Sequence, residues 1–292
     1  MRLVTYEMAG AEYVGVMDRV GDGIVPASQF GFEASDMNGF IRQLDDRWLE
    51  AIKTMYKDME PIKLEKVRLL SPIPRPEHDI VCLGLNYREH AAEAVKANKV
   101  IYNKQWGEAV YFGKRVNRAV APGDKIDGHW DVCRGLDYEV ELAAVIGRDA
   151  RNVKAKNAYD YILGYTILND VSARNLQTEH QQWYFGKSLD DFTPIGPWIV
   201  TRDELPGAPE LGIRCYVNGE MRQESNTANM IFDLPYVIEE LSAGMTLQAG
   251  TIISTGTPSG VALGMDNPKY LKKGDVVRCE IDGIGALVNI VG

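Results

Sequence analysis

Several features that mark large protein classes are scarce in this sequence. Only four cysteines occur in 292 residues, Cys82, Cys133, Cys215 and Cys279, and no two form a Cys-x-x-Cys pair. A zinc site or a redox pair is therefore not expected, and reduced thiols are the simpler interpretation. Lys and Arg form no runs and the formal net charge is −9. This balance argues against nucleic acid or an anionic membrane as a partner, because both need a basic surface.

Long apolar runs are also missing. No stretch approaches the length of a membrane span, and the opening residues MRLVTYEMAG lack the basic and apolar regions of a signal peptide. We therefore expect a cytoplasmic protein. The glycine-rich stretch STGTPSGVALG, residues 254–264, has neither the G-K-[ST] of a P-loop nor a G-x-G-x-x-G pattern, so nucleotide binding is unsupported.

The first seventy residues have the pattern of a small module. The runs RLVTYEM, EYVGVMD and IVPA predict short antiparallel strands, and apolar residues at helical spacing predict one or two helices between Asp36 and Met59. The segment SPIPRPEHD, residues 71–79, has three prolines in nine residues and is the best linker candidate. We therefore expect a small N-terminal α/β module, residues 1–72, and a larger domain, residues 73–292.

From Ile80 onward, short apolar runs are separated by Gly, Pro, Asp and Asn, with few long helices between them. This pattern favours an α+β fold that is predominantly β over a doubly wound α/β sheet.

One of these runs, LDYEVELAAVIG, carries Asp137, Glu139 and Glu141 at alternate positions. A regular strand sends alternate side chains to one face, so these three carboxylates should point the same way. Buried carboxylates must be paired with cations, protonated or bound to a metal. On spacing alone, the alternative of a solvent-exposed polar strand face is favoured.

A second acid lies in GYTILNDVSARNLQ, residues 164–177, where a strand is expected to end at Asn169 and Asp170 and to pass into a helix. Arg174 and Gln177 follow Asp170 at helical spacing, so one turn can present a carboxylate, a guanidinium and an amide together. The alternative is a helix-capping Asp170 with an ion pair to Arg174.

Two further stretches carry candidate reactive groups. In IVCLGLNYREHAAEA, residues 80–94, a strand ending at Gly84 and a helix beginning near Tyr87 would place His90 and Glu93 on one helix face. A carboxylate beside an imidazole suits a general base, and the alternative is an incidental surface histidine.

In YFGKSLDDFTPIGPWIV, residues 184–200, Lys187 stands in an apolar, Pro-rich setting. A partly buried lysine there would need an anionic partner, and the alternative is a surface lysine in a loop. In the glycine-rich turn, Thr257 and nearby backbone N–H groups can hold a small carboxylate.

Together these stretches resemble the fumarylacetoacetate hydrolase superfamily. Six motifs occur in the same order between residues 80 and 292: G-L-N-Y-x-x-H, D-Y-E-x-E-L-A-x-V-I-G, N-D-x-S-A-R, G-K-S-x-D-x-F-x-P-x-G-P, T-G-T-P-x-G-V and L-x-x-G-D-x-V. The resemblance implies a mixed β-sandwich roll, a homodimer, and one Mg²⁺ or Mn²⁺ ion, with Ca²⁺ as a further option.

Residue roles follow from the matched motifs. The resemblance assigns the metal to Glu139, Glu141 and Asp170, and leaves Asp137 as an acid that either supports the ligands from behind or has a structural role. It assigns substrate contacts to Arg174, Gln177 and Thr257, with Lys187 acting in both substrate binding and catalysis. It makes His90 and Glu93 the catalytic pair, on a segment that acts as a lid in relatives. Metal affinity is then expected to fall at low pH as the carboxylates protonate.

The leading hypothesis is a metal-dependent enzyme that cleaves a C–C bond in a small 2-oxo or 2,4-dioxo acid through a metal-stabilised enolate. An acylpyruvate-type hydrolase and an oxaloacetate decarboxylase both fit it. The alternatives are an isomerase of a 2-hydroxy-dienedioate and a non-catalytic metal- or ligand-binding relative. Substrate identity is expected to depend on three departures from the family: the segment 96–114, the stretch KRVNRAVAPGD at residues 114–124, and Leu85 where some relatives carry Arg.

Overall fold

The computed structural model describes residues 1–18, 21–56, 59–96, 107–207 and 210–292. Residues 97–106, which form much of the 96–114 segment, lie outside the described residues. The contribution of that segment to substrate recognition therefore stays a prediction.

Strands and short helices alternate along the described chain. The strands are β1 Arg2–Met8, β2 Ala11–Met17, β3 Gly23–Pro26, β4 Ile62–Lys63, β5 Arg68–Leu69, β6 Ile80–Gly84, β7 Val110–Lys114, β8 Lys125–Ile126, β9 Leu136–Asp137, β10 Val140–Ile146, β11 Ile162–Asn169, β12 Ser172–Ala173, β13 Ile195–Thr201, β14 Gly212–Val217, β15 Glu220–Asn226, β16 Ile252–Ser254, β17 Val276–Ile281 and β18 Gly285–Val291. The helices are α1 Met37–Gln43, α2 Asp46–Met55, α3 Arg88–Lys96, α4 Arg174–Glu179, α5 Tyr184–Lys187 and α6 Leu234–Gly244.

Two sheets form the framework. The larger has the order β4-β3-β2-β1-β13-β11-β10-β16-β6-β7, with β5 paired to β1, and the smaller has the order β15-β14-β17-β18-β8. Apolar residues of both sheets share one core, among them Leu142 of β10, Ile213 of β14 and Leu287 of β18. The structure therefore has the predicted class, α+β and predominantly β.

The first seventy residues form the expected strands and two helices. The carboxylates of Asp36 and Asp45 accept hydrogen bonds from the first turns of α1 and α2, which satisfies N–H groups that would otherwise lack partners. Strand β1 pairs with β13, with Leu3 opposite Ile199, so the N-terminal strands extend the large sheet. The division of the chain at residue 72 stays a prediction.

The centre of the large sheet determines where the acidic residues lie. Strand β10 is buried along its whole length between β11 and β16, with Val140 opposite Asn169 and Ala143 opposite Ser254. Strand β6 runs parallel to β16. The ends of β6, β11 and β16 and the start of β10 therefore meet at one place.

None of the helices in the described ranges has the length and apolar composition that a bilayer crossing requires. The four cysteines are buried free thiols.

Candidate active site

Three carboxylates converge where these strand ends meet. Glu139 lies just before β10, Glu141 lies within it, and Asp170 follows β11 directly. The backbone N–H of Asp170 donates to the carbonyl of Glu139 at 2.8 Å, which holds the two segments together. One oxygen of each carboxylate lies within 4.8 Å of the others, and all three residues are buried.

Each of the three acids has protein partners. Glu139 pairs with Lys187 and Arg174, both at 2.7 Å. Asp170 pairs with Lys187 at 2.6 Å. Glu141 has neutral donors instead: its Oε2 accepts from the Ser254 hydroxyl at 2.5 Å and the Gly256 N–H at 2.9 Å. The interpretation as a solvent-exposed strand face is therefore wrong, as is the placement of Lys187 in a surface loop.

The different partners produce opposite pKa shifts. Burial alone would raise the pKa of Glu139, but Lys187 and Arg174 outweigh it and hold the value at about 2. Burial and the nearby Asp170 and Glu139 carboxylates raise the pKa of Glu141 well above its usual range. The cations of the centre thus pair with Glu139 and Asp170, and among the described residues Glu141 forms no ion pair.

Asp137 does not belong to this cluster. A regular strand over residues 137–141 would place its carboxylate beside those of Glu139 and Glu141, but β9 ends at Asp137 and β10 begins at Val140. Asp137 is fully buried and instead accepts hydrogen bonds from Arg174 and from a loop of residues 258–264. The expectation that the three acids share one face therefore holds for Glu139 and Glu141 but not for Asp137.

Helix α4 begins later than the sequence spacing suggests. The short strand β12 intervenes after Asp170, so that residue does not cap the helix or pair with Arg174, and the alternative interpretation of Asp170 is wrong. Arg174 pairs with Asp137 and Glu139, and its Nη1 donates to Gln177 at 2.9 Å. Its Nη2 is buried without a hydrogen-bond partner in the described part of the chain. Arg174 and Gln177 do line the same cleft.

Helix α3 covers the cleft from the opposite side. The chain just before the N-terminus of α3 is held by Asn86, whose side-chain amide donates to the carbonyls of Phe232 and Thr255. His90 Nδ1 lies 3.0 Å from Glu93 Oε2, so the predicted pair is formed. Both side chains are only partly buried, with exposed fractions of 13% and 20%, and both line the cleft.

The rest of the cleft wall is mostly apolar. Its apolar members are Leu83, Leu85, Phe112, Trp183, Val261 and Leu263. The Lys187 ammonium lies 5.3 Å from the centre of the Phe112 ring, a cation–π contact next to the carboxylates. Gly84 is required here, because a Cβ at that position would lie 2.4 Å from the Trp183 ring.

Thr257, a predicted substrate contact, already forms hydrogen bonds with other protein groups. Its hydroxyl donates to the Val140 carbonyl at 2.9 Å and accepts from Gln223 at 2.8 Å. The residue lines the cleft, but its hydroxyl proton is already used, so toward a substrate it can only accept.

Sequence reasoning missed Lys114. This lysine is fully buried at the end of β7, where its ammonium lies 2.8 Å from Asp170 Oδ1 and donates to the carbonyls of Val171 and Lys187. Burial lowers the pKa of Lys114, and Asp170 opposes that shift. The local sequence feature that could have indicated a buried lysine was Lys114 at the end of the apolar run VYFGK. Ser254 and Gly256 were missed as well, because their role depends on the β10–β16 register.

The donor set fits a hard divalent cation. The three clustered groups are all carboxylates, without thiolate or imidazole, which favours Mg²⁺ or Mn²⁺. Both hydrogen bonds to Glu141 use Oε2, so Oε1 is the oxygen left for a ligand. Among the described residues, the buried acids, counted with Asp137, exceed the buried cations Lys114, Arg174 and Lys187 by one formal charge. A divalent ion would reverse that sign, as an anionic substrate requires.

A carboxylate centre on the middle strands of a β-rich roll, faced by a histidine–glutamate pair, defines a class of enzyme suited to metal-assisted chemistry on small acids. Comparison with known proteins gives the family. Residues 79–292 match the family described as fumarylacetoacetate (FAA) hydrolase C-terminal, and the chain belongs to it. The resemblance predicted from the six motifs is thereby confirmed.

Individual relatives and structures agree with this assignment. Oxaloacetate tautomerase YisK of Bacillus subtilis (strain 168) is 43% identical over 229 residues, which cover 78% of this chain and 74% of the relative. Fumarylacetoacetate hydrolase (EaFAH) from Exiguobacterium antarcticum has a TM-score of 0.84 and 36% identity, covering 100% of this chain and 99% of its own. Maleylpyruvate hydrolase from Sphingobium sp. SYK-6, solved with manganese(II) and pyruvate, has a TM-score of 0.79 and 29% identity, covering 100% and 98% of the two chains.

Proposed function

We propose that this protein is a divalent-metal-dependent enzyme that acts on a small 2-oxo acid through its enolate, with oxaloacetate as the first candidate substrate. One observation carries the proposal: three buried carboxylates with oxygens within 4.8 Å of one another line or adjoin the cleft that holds the His90 and Glu93 pair. The name of the Bacillus subtilis relative, an oxaloacetate tautomerase, supports the choice of substrate.

Glu139, Glu141 and Asp170 would hold Mg²⁺ or Mn²⁺, which supplies a Lewis acid that stabilises the negative charge of an enolate. The manganese in the maleylpyruvate hydrolase structure supports this type of ion. Around the centre, Lys187 is fixed by its contacts with Glu139 and Asp170, so its position does not depend on the substrate.

Arg174 is the residue best placed to bind a substrate carboxylate. Its Nε and Nη1 are committed to Asp137, Glu139 and Gln177, whereas Nη2 is buried without a partner in the described residues. A buried N–H group without an acceptor is costly, so an incoming carboxylate oxygen restores a hydrogen bond at this atom. Gln177 and Thr257 offer neutral polar groups beside it.

His90 is the proton carrier in this proposal. Glu93 accepts the proton of Nδ1, which leaves Nε2 able to take a proton from the carbon next to the keto group and to return it to carbon or oxygen. Moving that proton alone interconverts the keto and enol forms of oxaloacetate, so keto–enol tautomerisation is the reaction we place first.

Cleavage of a C–C bond is the second candidate. The same His90 can activate water for attack on a 4-keto carbon, and the apolar wall formed by Phe112, Trp183 and Leu263 provides space for an acid longer than oxaloacetate. The Sphingobium structure, a hydrolase with pyruvate bound, supports this candidate. Decarboxylation of oxaloacetate proceeds through the same enolate.

A substrate panel tests the proposal. Chelated protein is given Mg²⁺, Mn²⁺ or Ca²⁺ and then oxaloacetate, acylpyruvates or a 2-hydroxy-dienedioate. Loss of the enol absorbance without a smaller product indicates tautomerisation, whereas release of pyruvate indicates cleavage or decarboxylation. Full turnover after thorough chelation, or unchanged activity in Glu139→Ala, would exclude the metal-dependent mechanism. Light scattering after size exclusion tests the homodimer implied by the family.

A further inference from the structure

Asp137 is not among the residues assigned to the metal, the substrate or proton transfer, yet it is one of the most fully bonded side chains of the described protein. Its Oδ1 accepts from the backbone N–H groups of Tyr138 and Ala262, both at 2.9 Å. Its Oδ2 accepts from Arg174 Nε at 2.8 Å and from the Leu263 N–H at 2.9 Å. The residue has no solvent exposure. A carboxylate so engaged cannot also be a metal ligand.

All four partners of Asp137 are hydrogen-bond donors, and a carboxylate has the acceptor sites to match them. An asparagine of the same shape would turn an NH₂ group toward two of these donors. The guanidinium of Arg174 also makes one of the contacts charge-assisted. The position therefore depends on charge and not only on shape.

The contacts of Asp137 join two parts of the cleft. One part is Arg174, which also forms an ion pair with Glu139 and donates a hydrogen bond to Gln177. The other is the loop 258–264, which reaches helix α3: the Gly260 N–H lies 3.3 Å from Glu93 Oε1.

Gly264 packs against the same glutamate. A Cβ at Gly264 would lie 2.2 Å from the Glu93 carboxyl carbon. Ala262 and Leu263, which Asp137 holds, lie between these two glycines in the chain.

We propose that Asp137 is a positioning residue that fixes Arg174 and the loop 258–264 relative to each other, and thereby orients Glu93 and His90 toward the carboxylate centre. The inference rests on the proposed function for its effect on turnover. Its structural part, the connection from Asp137 through the loop to α3, is independent of the reaction.

Kinetics of a double-mutant cycle test the proposal. Asp137→Asn should lower kcat about 10²-fold by misplacing the reacting groups and should raise KM through Arg174. In Gly264→Ala the nearest atoms to the added Cβ belong to the Glu93 side chain, so this variant should lower kcat with KM and Mn²⁺ affinity close to wild type. Because both changes act on kcat through Glu93, the double variant should lose less than the product of the single effects. Asp149→Asn, an exposed acid that also accepts a backbone N–H, and Gly244→Ala, which meets no neighbouring atom, are the controls.

Hydrogen exchange gives the readout that does not depend on activity. In the metal-free protein, Asp137→Asn should speed amide exchange both in residues 258–264 and in α3, whereas Asp149→Asn should change neither. Unchanged exchange in α3, or kcat effects that multiply in the double variant, would overturn the proposal. If the wild-type protein turns over no member of the substrate panel, the proposed function fails while the exchange experiment still decides the role of Asp137.

Discussion

The two sides of the cleft are built differently. On the sheet side, Glu139, Asp170 and Lys187 are almost completely buried, and each has at least two charged partners. On the helix side, His90 and Glu93 are partly exposed, and Glu93 accepts a 3.3 Å hydrogen bond from the Gly260 N–H of the sheet-side loop.

The difference separates two tasks. Charges that are fixed before a ligand arrives need no reorganisation when negative charge develops, which suits the sheet side to binding and electrostatic stabilisation. Proton transfer requires a group that can approach and leave the reacting atom, and a partly exposed helix residue has that freedom. Changes on the sheet side should therefore affect metal binding and folding, and changes on the helix side should affect turnover.

The largest effect is expected for Asp170→Asn. The substitution removes one of the three proposed metal ligands and leaves Lys114 and Lys187 with too little negative charge, which costs about 3–5 kcal/mol when a buried pair is broken. Turnover should fall to background, and calorimetric titration should show Mn²⁺ binding weakened by at least about 100-fold. Asp131→Asn, an exposed acid, is the control. Normal Mn²⁺ affinity in Asp170→Asn would remove Asp170 from the ligand set.

Substitutions on the helix side come next. His90→Asn and Glu93→Gln should lower kcat about 10²–10⁴-fold, because general acid–base catalysis is lost, with Mn²⁺ affinity and the thermal midpoint close to wild type. Glu89→Gln changes an exposed acid of the same helix and should leave all three quantities unaltered. Loss of metal binding in Glu93→Gln would show that the two sides are not separate.

Lys114→Met should act on folding more than on catalysis. Asp170 loses one buried cation, which should lower the free energy of unfolding of the metal-free protein by about 3 kcal/mol. Because a divalent ion replaces the missing charge, Mn²⁺ should raise the thermal midpoint of Lys114→Met more than that of wild type. The exposed Lys125→Met is the matched control. If Mn²⁺ raises the thermal midpoint of Lys114→Met and of wild type equally, the assigned pairing of Lys114 with Asp170 is contradicted.

The smallest effect is expected outside the cleft, at the partly exposed ion cluster of Glu12, Arg75 and Arg118. Its contribution to stability can be compared with that of the buried carboxylate centre. Hydrogen bonds from Arg75 and Arg118 hold the pKa of Glu12 at about 2. Since the folded-state pKa lies below the unfolded value, Glu12 stabilises the fold above pH 4.5, and this contribution is lost as the pH falls toward 2.

Glu12→Gln should therefore cost about 1 kcal/mol at pH 7, reduced by solvent screening. The cost should shrink toward zero in denaturant titrations at progressively lower pH. A cost that does not change with pH would show that shape, and not charge, makes the contribution.

Local patterns predicted the acids better than their partners. The alternation of Glu139 and Glu141 and the strand end before Asp170 are local features that marked these acids as candidates, although the family resemblance was needed to group them as one cluster. Lys114 was not predicted as a partner of the acids, because its contact with Asp170 depends on the strand order β10-β16-β6-β7, which no local pattern reveals. The alternative pairing of Asp170 with Arg174 is absent because β12 pairs with β9, and this nonlocal contact overrides helical spacing.

The pairing of β1 with β13 matters for any attempt to shorten the protein. A fragment beginning at residue 73 would leave β13 as an open sheet edge, with unpaired N–H and C=O groups where Arg2 and Leu3 now pair. Open edges of this kind recruit strands from other chains and lead to aggregation. The N-terminal strands thus protect the sheet that carries the cleft, although they contribute no side chain to it.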